Sequence, residues 1–192
     1  MSVAADLARF AEPGAALNAR RVLWALYHSR GLVALIVYRL GRWLTRAVAS
    51  PLCWPVLPAG WLVYLIVSSY VRTAYDIQQS LSAEIGGGMH IDHFGDIVVR
   101  DCRIGEGCSI RQGVHIEPAS DGSPPTIADH VWIGANAKIV GPFRIGDGGT
   151  ISAGSIVDRN VPAQCVYVGS PGRVVLGHYD NRRLHESIYV GV

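Results

Sequence analysis

The sequence lacks closely spaced cysteine pairs. Its four cysteines, Cys53, Cys102, Cys108 and Cys165, form no CxxC motif and none of the spacings of a zinc module. This absence argues against a disulfide scaffold and favours a reducing compartment. The N-terminus also lacks the ordered basic, apolar and small-residue regions of a secretory signal. We therefore expect a cytoplasmic protein.

Charge is absent from residues 47–71, a run that Arg46 and Arg72 bracket. The run exceeds the roughly 20 residues that cross a bilayer as a helix. Three prolines interrupt its first half, however, and the remainder, 59–71, is too short to cross. We predict a helix that is buried or faces another subunit, rather than a transmembrane span. Peripheral contact with the inner face of the membrane stays open as the alternative.

Acidic residues are scarce in the first 72 positions. Eight arginines stand there against Asp6 and Glu12, a balance of +6, whereas the remainder carries nine basic and thirteen acidic side chains, a balance of −4. An N-terminal part of this sign suits an acidic surface, a membrane or an acidic segment of the same chain. We expect no nucleic-acid partner.

The first part of the chain has the pattern of helices. Two segments, 18–30 and 31–46, contain few turn signals. Arg39, Arg42 and Arg46 recur in the second segment at spacings of three and four, so they share one helix face. We interpret this arginine stripe as a solvated face, with an anion-binding surface as the alternative.

From residue 85 onward the sequence repeats every six residues. A step of six fits neither the period of a helix nor the alternation of a half-exposed strand. It fits short strands joined by tight corners, with one inward side chain per side of a coil. Three sides make a triangular coil, so the leading aliphatic residues predict about four coils. These residues are Ile85, Ile91, Val98, Ile104, Ile110, Ile116, Ile127, Ile133, Ile139, Ile145, Ile151 and Val157.

Two irregularities interrupt the six-residue series. One extra residue lies between Ile91 and Val98, in the stretch DHFGDIV, and five more lie between Ile116 and Ile127, in EPASDGSPPT. In regular repeat folds such departures commonly carry function. The glycines at 86–88 precede the first irregularity without a following lysine or helix start, so we interpret them as a close corner rather than a phosphate loop.

These features resemble the serine acetyltransferase family of hexapeptide-repeat acyltransferases, including relatives found in exopolysaccharide and capsule gene sets. The resemblance covers residues 31–175. It is carried by GLVALIVYRLGRWL, IGGGMHIDHFGDIVV, PPTIADHVWIGANAKIVGPFRIGDGGTISAGSIV and VGSPGRVV. It implies an α+β fold with an N-terminal helical segment (1–76), a left-handed parallel β-helix that forms the catalytic domain (77–175) and a C-terminal tail (176–192).

The resemblance also implies the catalytic residues. His93, in IDHFGDIVV, matches the family's general base, and Asp92 matches the aspartate that helps to hold the acceptor amino acid. An imidazole suits the removal of a hydroxyl proton, because it titrates near working pH. The hydroxyl oxygen then attacks the acetyl thioester, and CoA thiolate leaves. An aspartate on the other imidazole nitrogen would fix the tautomer, and the candidates are Asp92, Asp96 and Asp76.

In this family acetyl-CoA is the co-substrate and lies in the groove between neighbouring β-helices of a trimer. Carried over to this chain, backbone groups of Ala135 and Ala153 would hold the pantetheine arm, and Arg159 and Arg173 would meet the phosphate end of CoA. The two alanines are eighteen residues, or one coil, apart, so we expect them to stack. The resemblance thus implies a homotrimer, or a dimer of trimers, in which each active site draws on two subunits.

The chain departs from the family's pattern at two places that bear on catalysis and on the acceptor. The family's acidic partner of the base stands fifteen positions before it, where this chain has Gln78. The loop EPASDGSPPT has neither the histidine nor the basic residues of the serine enzymes. We predict an acetyl-CoA-dependent O-acetyltransferase with L-serine as the favoured acceptor. A sugar hydroxyl in exopolysaccharide or capsule biosynthesis is one alternative, and a non-catalytic β-helix assembly module is another.

A zinc site is the competing explanation for the histidines, since some left-handed β-helix trimers bind zinc between subunits. By their positions in the repeat, His90, His93, His115 and His130 do not stack in one column. We therefore expect no metal.

Overall fold

The computed structural model of the chain describes residues 3–10, 24, 26–50 and 53–186. The N-terminal part of these ranges contains the helices α1 (Val3–Phe10), α2 (Arg30–Ala47) and α3 (Leu57–Ala74). The helix predicted over 31–46 is confirmed by α2. Most of the other predicted segment, 18–30, lies outside the described residues.

Short strands follow the helices: β1 (Ile77–Gln79), β2 (Glu84–Ile85), β3 (His90–Ile91), β4 (Ile97–Val99), β5 (Arg103–Ile104), β6 (Ser109–Ile110), β7 (His115–Glu117), β8 (Thr126–Ile127), β9 (Trp132–Ile133), β10 (Lys138–Val140), β11 (Arg144–Ile145), β12 (Thr150–Ile151), β13 (Ile156–Val157), β14 (Val166–Gly169) and β15 (Gly172–Leu176). A short helix, α4 (Arg182–Glu186), comes last. Apart from β15, each strand pairs in parallel with the strand on the same side of the next coil, which is usually the third strand along the chain. The resulting sheets are A (β1-β4-β7-β10-β13), B (β2-β5-β8-β11) and C (β3-β6-β9-β12-β14, with β15 antiparallel at its edge).

The leading aliphatic residues of the repeat align in columns inside the coil. On sheet C, Ile91, Ile110, Ile133 and Ile151 pair in register from one coil to the next, and sheet B aligns its isoleucines in the same way. These side chains are almost completely buried, and burying each contributes about 1.5–3 kcal/mol. The six-residue period is therefore confirmed as the period of a three-sided parallel β-helix.

Sheet A differs from the prediction at its start. Val99, rather than Val98, aligns with Ile116, so the corner DHFGD adds two residues to the repeat instead of one. A six-residue period cannot distinguish two neighbouring valines, whereas strand pairing can. The strand β1, with Ile77 opposite Ile97, also precedes the predicted series. The β-helix consequently has about five coils rather than four.

Helix α2 packs closely against the first coil. A Cβ on Gly31 would collide with the carbonyl oxygen of Ile91 in β3, so this approach requires a glycine. About two turns further along α2, the buried Tyr38 hydroxyl donates a hydrogen bond to the Ala83 carbonyl at 2.6 Å. These contacts fix the start of α2 beside the corner that follows β3.

The arginine stripe of α2 is not a solvated face, and that interpretation is wrong for two of its three members. Arg39 is buried, with its Nε 2.9 Å from Asp6 Oδ2 of α1, and its Nη1 donates to the Ile85 carbonyl at 2.6 Å. Arg42 is half-buried and donates at 2.8 Å to a backbone carbonyl between β1 and β2. Arg46 is exposed. The first coil has no coil above it, so its carbonyls need donors from outside the repeat.

Helix α3 contains residues 57–71 of the uncharged run. Of its side chains, only those of Leu57 and Val71 are buried within the chain. Of the two predicted alternatives, burial within the chain is therefore not observed, and contact with another subunit stays a prediction. Among the helices of the described ranges, none combines the length and the apolar character that crossing a bilayer requires. The large apolar side chains that α3 exposes are Leu62, Val63, Leu65, Ile66 and Tyr70.

Helices α1 and α4 meet on the outer surface of sheet C. Arg9 of α1 donates to Ser109 Oγ at 3.1 Å, and His185 of α4 places its Nδ1 2.9 Å from the same oxygen. The other ring nitrogen of His185 lies 3.1 Å from the His130 carbonyl. Burial lowers the pKa of His185. The described part of the tail therefore packs on the β-helix.

Candidate active site

The residue predicted as general base lies at the corner between sheets C and A. His93 stands two positions after the end of β3, and its backbone has a φ of 66°, a left-handed conformation that is costly for a residue other than glycine. The side chain is 62% exposed. A strained backbone that presents a titratable side chain at an irregularity of the repeat is typical of a functional site.

Asp92 orients the imidazole of His93. Its Oδ1 lies 2.8 Å from His93 Nδ1. Because an ionised carboxylate can only accept, Nδ1 carries the hydrogen and Nε2 is left as the basic nitrogen. The other candidate carboxylates have different partners: Asp76 accepts the backbone N–H of Asp96 at 3.0 Å, and Asp96 lies 3.0 Å from His115 Nε2.

Arg111 is a candidate functional residue that the sequence interpretation missed. Its Nη2 lies 3.0 Å from Asp92 Oδ2, and its guanidinium carbon lies 5.5 Å from the ring centroid of Trp132. Its position beside Asp92 follows from the register in which the strands pair. Since Ile91 pairs with Ile110, the residues that follow them, Asp92 and Arg111, lie one above the other.

The position of the family's acidic partner, Gln78, has no carboxylate and lines a different cavity from the imidazole. Gln78 lines a cavity of about 260 Å³ beneath α2 and α3, whereas His93 lines a different one. In this chain the carboxylate in contact with the candidate base is therefore that of Asp92.

The cavity beside His93 is open and has a volume of about 740 Å³. Arg30, at the start of α2, places its guanidinium 3.9 Å from the ring centroid of Phe94. Burial lowers the pKa of His90 to about 4, so this lining residue is neutral at neutral pH. The walls of this cavity combine aromatic rings with polar and charged groups, among them Arg30, Asp92 and His93. The aromatic lining residues are Tyr27, Tyr70, Tyr75 and Phe94.

The two alanines predicted to hold CoA share a corner column with His93. Hydrogen bonds link this column from coil to coil, and the Gly154 N–H reaches the Ala135 carbonyl at 2.8 Å, so Ala135 and Ala153 stack as expected. Gln112 occupies the corner between His93 and Ala135. We call this column, residues 92–96, 111–113, 134–136 and 152–154, the base edge.

The two arginines predicted to meet the phosphates lie on different edges. Arg173 is in the β14–β15 hairpin, whose Gly169 N–H donates to Ser155 Oγ at 3.0 Å, at the end of the base edge. Arg159 follows β13 at the corner between sheets A and B, with its Nε 2.8 Å from Asp158 Oδ1. The structure thus brings Arg173, but not Arg159, to the base edge of the same chain.

The loop EPASDGSPPT leaves the coil on the edge that carries Arg159. It connects β7 to β8, and a hydrogen bond of 2.9 Å from the Ala119 N–H to the Ser123 carbonyl closes it. We call this column of corners, residues 118–125, 141–143 and 158–160, the loop edge. The strands of sheet A separate the loop edge from His93 within one chain.

The histidines of the metal alternative lie in different surroundings. His90 is buried on sheet C, His115 contacts Asp96 on sheet A, and His130 stands at a corner between sheets B and C with a φ of 54°. Within the described ranges, no group of three or more histidine, cysteine, aspartate or glutamate side chains is placed to hold a metal ion.

Comparison with protein families gives a match to the bacterial transferase hexapeptide (six repeats) model over residues 124–159. The serine acetyltransferase of Synechococcus elongatus is 35% identical over 161 residues, which cover 82% of this chain and 62% of that relative. The chain thus spans between about half and three-fifths of the length of the curated relatives it matches.

Solved structures give the same result. The serine acetyltransferase of Neisseria gonorrhoeae in complex with serine matches with a TM-score of 0.70 and 27% identity, covering 91% of this chain and 67% of that one. The serine acetyltransferase of Brucella abortus in complex with coenzyme A matches with a TM-score of 0.71 and 25% identity, covering 90% and 66%. These matches confirm the predicted α+β fold, N-terminal helices followed by a left-handed parallel β-helix.

Proposed function

The chain belongs to the serine acetyltransferase-like family of hexapeptide-repeat proteins, and from this premise we propose that it transfers an acetyl group from acetyl-CoA to a hydroxyl group. His93 is the proposed general base. The observation that carries the proposal is the base edge, where Asp92 holds the Nδ1–H of His93 at 2.8 Å and Ala135 and Ala153 stack in the same column.

In the proposed reaction His93 Nε2 takes the proton of the acceptor hydroxyl while the hydroxyl oxygen attacks the thioester carbonyl carbon. The tetrahedral intermediate collapses, the carbon–sulfur bond breaks, and the proton passes from the imidazolium to the leaving thiolate. Asp92 accepts the Nδ1–H throughout and stabilises the imidazolium. Because the acetyl group passes directly from sulfur to oxygen, the reaction needs no cysteine nucleophile.

Acetyl-CoA is the proposed co-substrate, lying along the base edge. Ala135 and Ala153 are proposed to offer backbone groups to the pantetheine arm, since small side chains let a ligand approach the backbone closely. Arg173 is proposed for the phosphate end, where a guanidinium makes strong charge-assisted hydrogen bonds. Arg159, on the loop edge, is proposed to serve the same phosphates from a neighbouring subunit.

L-Serine is the first candidate for the acceptor. Its support comes from the relatives, which are serine acetyltransferases, and from the Neisseria structure, which contains serine. In this chain the Asp92 carboxylate is in contact with the base, and its negative charge suits the ammonium group of an amino acid.

A sugar hydroxyl of an envelope glycan is the second candidate, and the cavity beside His93 favours it. Its volume of about 740 Å³ and its four aromatic lining residues suit a ring-shaped acceptor. The loop EPASDGSPPT contains no histidine or arginine, so a feature of the serine enzymes is missing from it.

A homotrimer, or a dimer of trimers, is the proposed assembly. Within one chain the loop edge and Arg159 are separated from His93 by sheet A, so a site that uses both edges needs two chains. Sheet A also exposes the apolar side chains of Val140 and Ile156. The mass of the protein in solution tests this proposal, and a monomer at working concentration would exclude it.

A cytoplasmic location with peripheral contact to the inner face of the membrane is also proposed. The sequence has no acidic residue between positions 13 and 75, and the aromatic side chains of Trp43 and Trp54 are exposed beside α3. Exposed tryptophans among arginines suit an interface with anionic lipid.

Release of CoA thiol from acetyl-CoA is the experiment that tests the proposed activity, with L-serine and a panel of sugars as acceptors. His93→Asn should reduce turnover by roughly 10²–10⁴-fold, the usual contribution of a general base. His178→Asn is the matched control: His178 also has a positive φ, 55°, is exposed, and lies outside the base edge. Asparagine tolerates this backbone conformation, so neither substitution should disturb the fold.

The acceptor panel distinguishes the alternatives. Turnover with serine that the His93→Asn variant loses supports the first candidate, and turnover only with a sugar supports the second. Activity that survives a chelator favours base catalysis over a metal. Failure to bind or to turn over acetyl-CoA with every acceptor would leave the non-catalytic assembly module.

A further inference from the structure

We propose that Arg111 is a positioning residue, which holds Asp92 so that the Asp92 carboxylate fixes the tautomer of His93. This inference rests on the proposed function of the base edge. It begins from a continuous chain of contacts. His93 Nδ1 lies 2.8 Å from Asp92 Oδ1, Asp92 Oδ2 lies 3.0 Å from Arg111 Nη2, and the Arg111 guanidinium lies 5.5 Å from the ring centroid of Trp132.

The β-helix supplies a rigid backbone for this chain of contacts. The Asp92 N–H donates to the Ile110 carbonyl at 2.9 Å, and the Arg111 N–H donates to the Ile133 carbonyl at 3.1 Å. Asp92 and Arg111 are therefore each fixed by a backbone hydrogen bond to the next coil. Trp132 lies on the strand whose Ile133 carbonyl accepts from Arg111. Side chains that directly follow paired strands, as these two do, hold their geometry better than side chains on free loops.

The two oxygens of Asp92 have separate partners. Arg111 contacts Oδ2 and the imidazole contacts Oδ1, so a partner on each oxygen fixes the orientation of the carboxylate. His93 is 62% exposed while Asp92 is 18% exposed, so water competes for the imidazole much more than for the carboxylate. A carboxylate that is held in place can keep the Nδ1–H tautomer in a ring that solvent reaches.

Arg111 has a particular importance in this chain because the family's acid position is Gln78, in a separate cavity. Asp92 must then orient the base without a second carboxylate. The Arg111 guanidinium is itself confined, since its Nε is shielded from solvent and its plane lies near an indole ring. Asp92 and Arg111 together thus supply the orientation that the base needs.

The test uses Arg111→Met, Arg111→Lys and the wild type. Methionine keeps an unbranched apolar stem next to Trp132 but removes the charge and the donors, whereas lysine restores the charge without the planar fork. Arg103→Met is the matched control. Arg103 lies on the same coil, on sheet B, and its partner is the exposed Glu84 at 3.3 Å.

Two readouts are needed, one of which is independent of the acceptor. The first is kcat and the KM for acetyl-CoA. The second is the ¹⁵N chemical shifts of the His93 ring nitrogens in histidine-labelled protein, assigned by their absence from His93→Asn. These shifts report directly which nitrogen carries the hydrogen.

Arg111→Met should lower kcat by roughly tenfold, the equivalent of about one pK unit of lost stabilisation, with the KM for acetyl-CoA changed by less than about twofold. The His93 shifts should move from the Nδ1–H form toward a mixture of tautomers. Arg111→Lys should recover part of kcat and part of the Nδ1–H signal. Arg103→Met should change neither kcat nor the His93 shifts.

Unchanged His93 shifts in Arg111→Met would overturn the inference, whether or not kcat falls, because Arg111 would then act on something other than the tautomer. Turnover that His93→Asn retains would overturn the proposed function as well. Loss of turnover in His93→Asn together with wild-type behaviour of Arg111→Met would remove only the role of Arg111.

Discussion

The β-helix and the N-terminal helices bury their apolar residues in different ways. In the β-helix each coil places isoleucines against isoleucines of the next coil, and the column on sheet C is almost completely buried within one chain. Helix α3 is at least as apolar in sequence, yet most of its large side chains face solvent. A repeat that stacks on itself completes its core locally, whereas a helix beside it depends on what covers its other face.

The contact between the two regions includes buried charged side chains. Arg39 of α2 and Asp6 of α1 form a buried ion pair at 2.9 Å, and Asp6 Oδ1 also accepts the Met89 N–H at 3.2 Å. These bonds tie both helices to the first coil. Apolar columns therefore stabilise the repeat, while charged hydrogen bonds hold the helices against its open end.

Asp6→Asn should have the largest effect on stability. It leaves the Arg39 charge buried without a counter-ion, and such a change costs about 3–5 kcal/mol. The free energy of unfolding in urea measures the loss. Glu84→Gln is the control, because the Glu84–Arg103 pair is exposed and pairs of that kind contribute about 0–1 kcal/mol. Equal effects of the two substitutions would contradict the importance of the buried pair.

Ile133→Ala and Ile66→Ala compare the two apolar surfaces directly. Ile133 is fully buried in the sheet C column, and its truncation should cost about 2–5 kcal/mol. Ile66 is exposed on α3, and its truncation should change the free energy of unfolding of a single chain by no more than about 0.5 kcal/mol. A large loss of unfolding free energy in Ile66→Ala would show that another subunit covers α3 in the assembled protein. The size of that loss should then depend on protein concentration.

Acid should lower the free energy of unfolding of the chain through the buried side chain of His90. Burial lowers the pKa of His90 to about 4, below its ordinary value of 6.5, so between these values the unfolded chain binds a proton that the folded chain does not. Stability is therefore full above pH 6.5 and falls as the pH drops toward 4, by at most about 1.4 kcal/mol per pH unit for this group. The free energy of unfolding of His90→Gln should depend less steeply on pH than that of the wild type. In His28→Gln, at an exposed histidine, the pH dependence should match the wild type. Identical slopes in all three proteins would remove His90 as the cause.

Leu62→Gln combined with Ile66→Gln should have the smallest effect on the fold, because both side chains are exposed. The measurements are the mass in solution and flotation with vesicles of anionic or neutral lipid. A lower mass would show that the exposed face of α3 contacts a second subunit. Flotation that is lost with anionic vesicles, in a protein that does not float with neutral ones, would show that this face contacts the membrane. If neither changes, α3 has no role as a contact surface.

The residues of the candidate site differ in how far sequence could find them. His93 and Asp92 are next to each other in IDHFGDIVV, and the family resemblance points to both. Arg111 is eighteen positions after His93 and belongs to no local motif, so its contact with Asp92 follows only from the pairing of β3 with β6. Arg39 shows the opposite error: its spacing on α2 indicated a solvated face, but Asp6 and two backbone carbonyls surround it.

The sequence by itself determined the three-sided coil, because a period of six leaves one inward aliphatic residue per side and stacking buries all of them. It also predicted the site of function, at DHFGD, where the period breaks. The tertiary structure decided which valine enters the column after that corner, which arginines are buried and which carboxylate holds His93. These depend on register and on contacts between distant segments, and a periodic pattern contains no information about either.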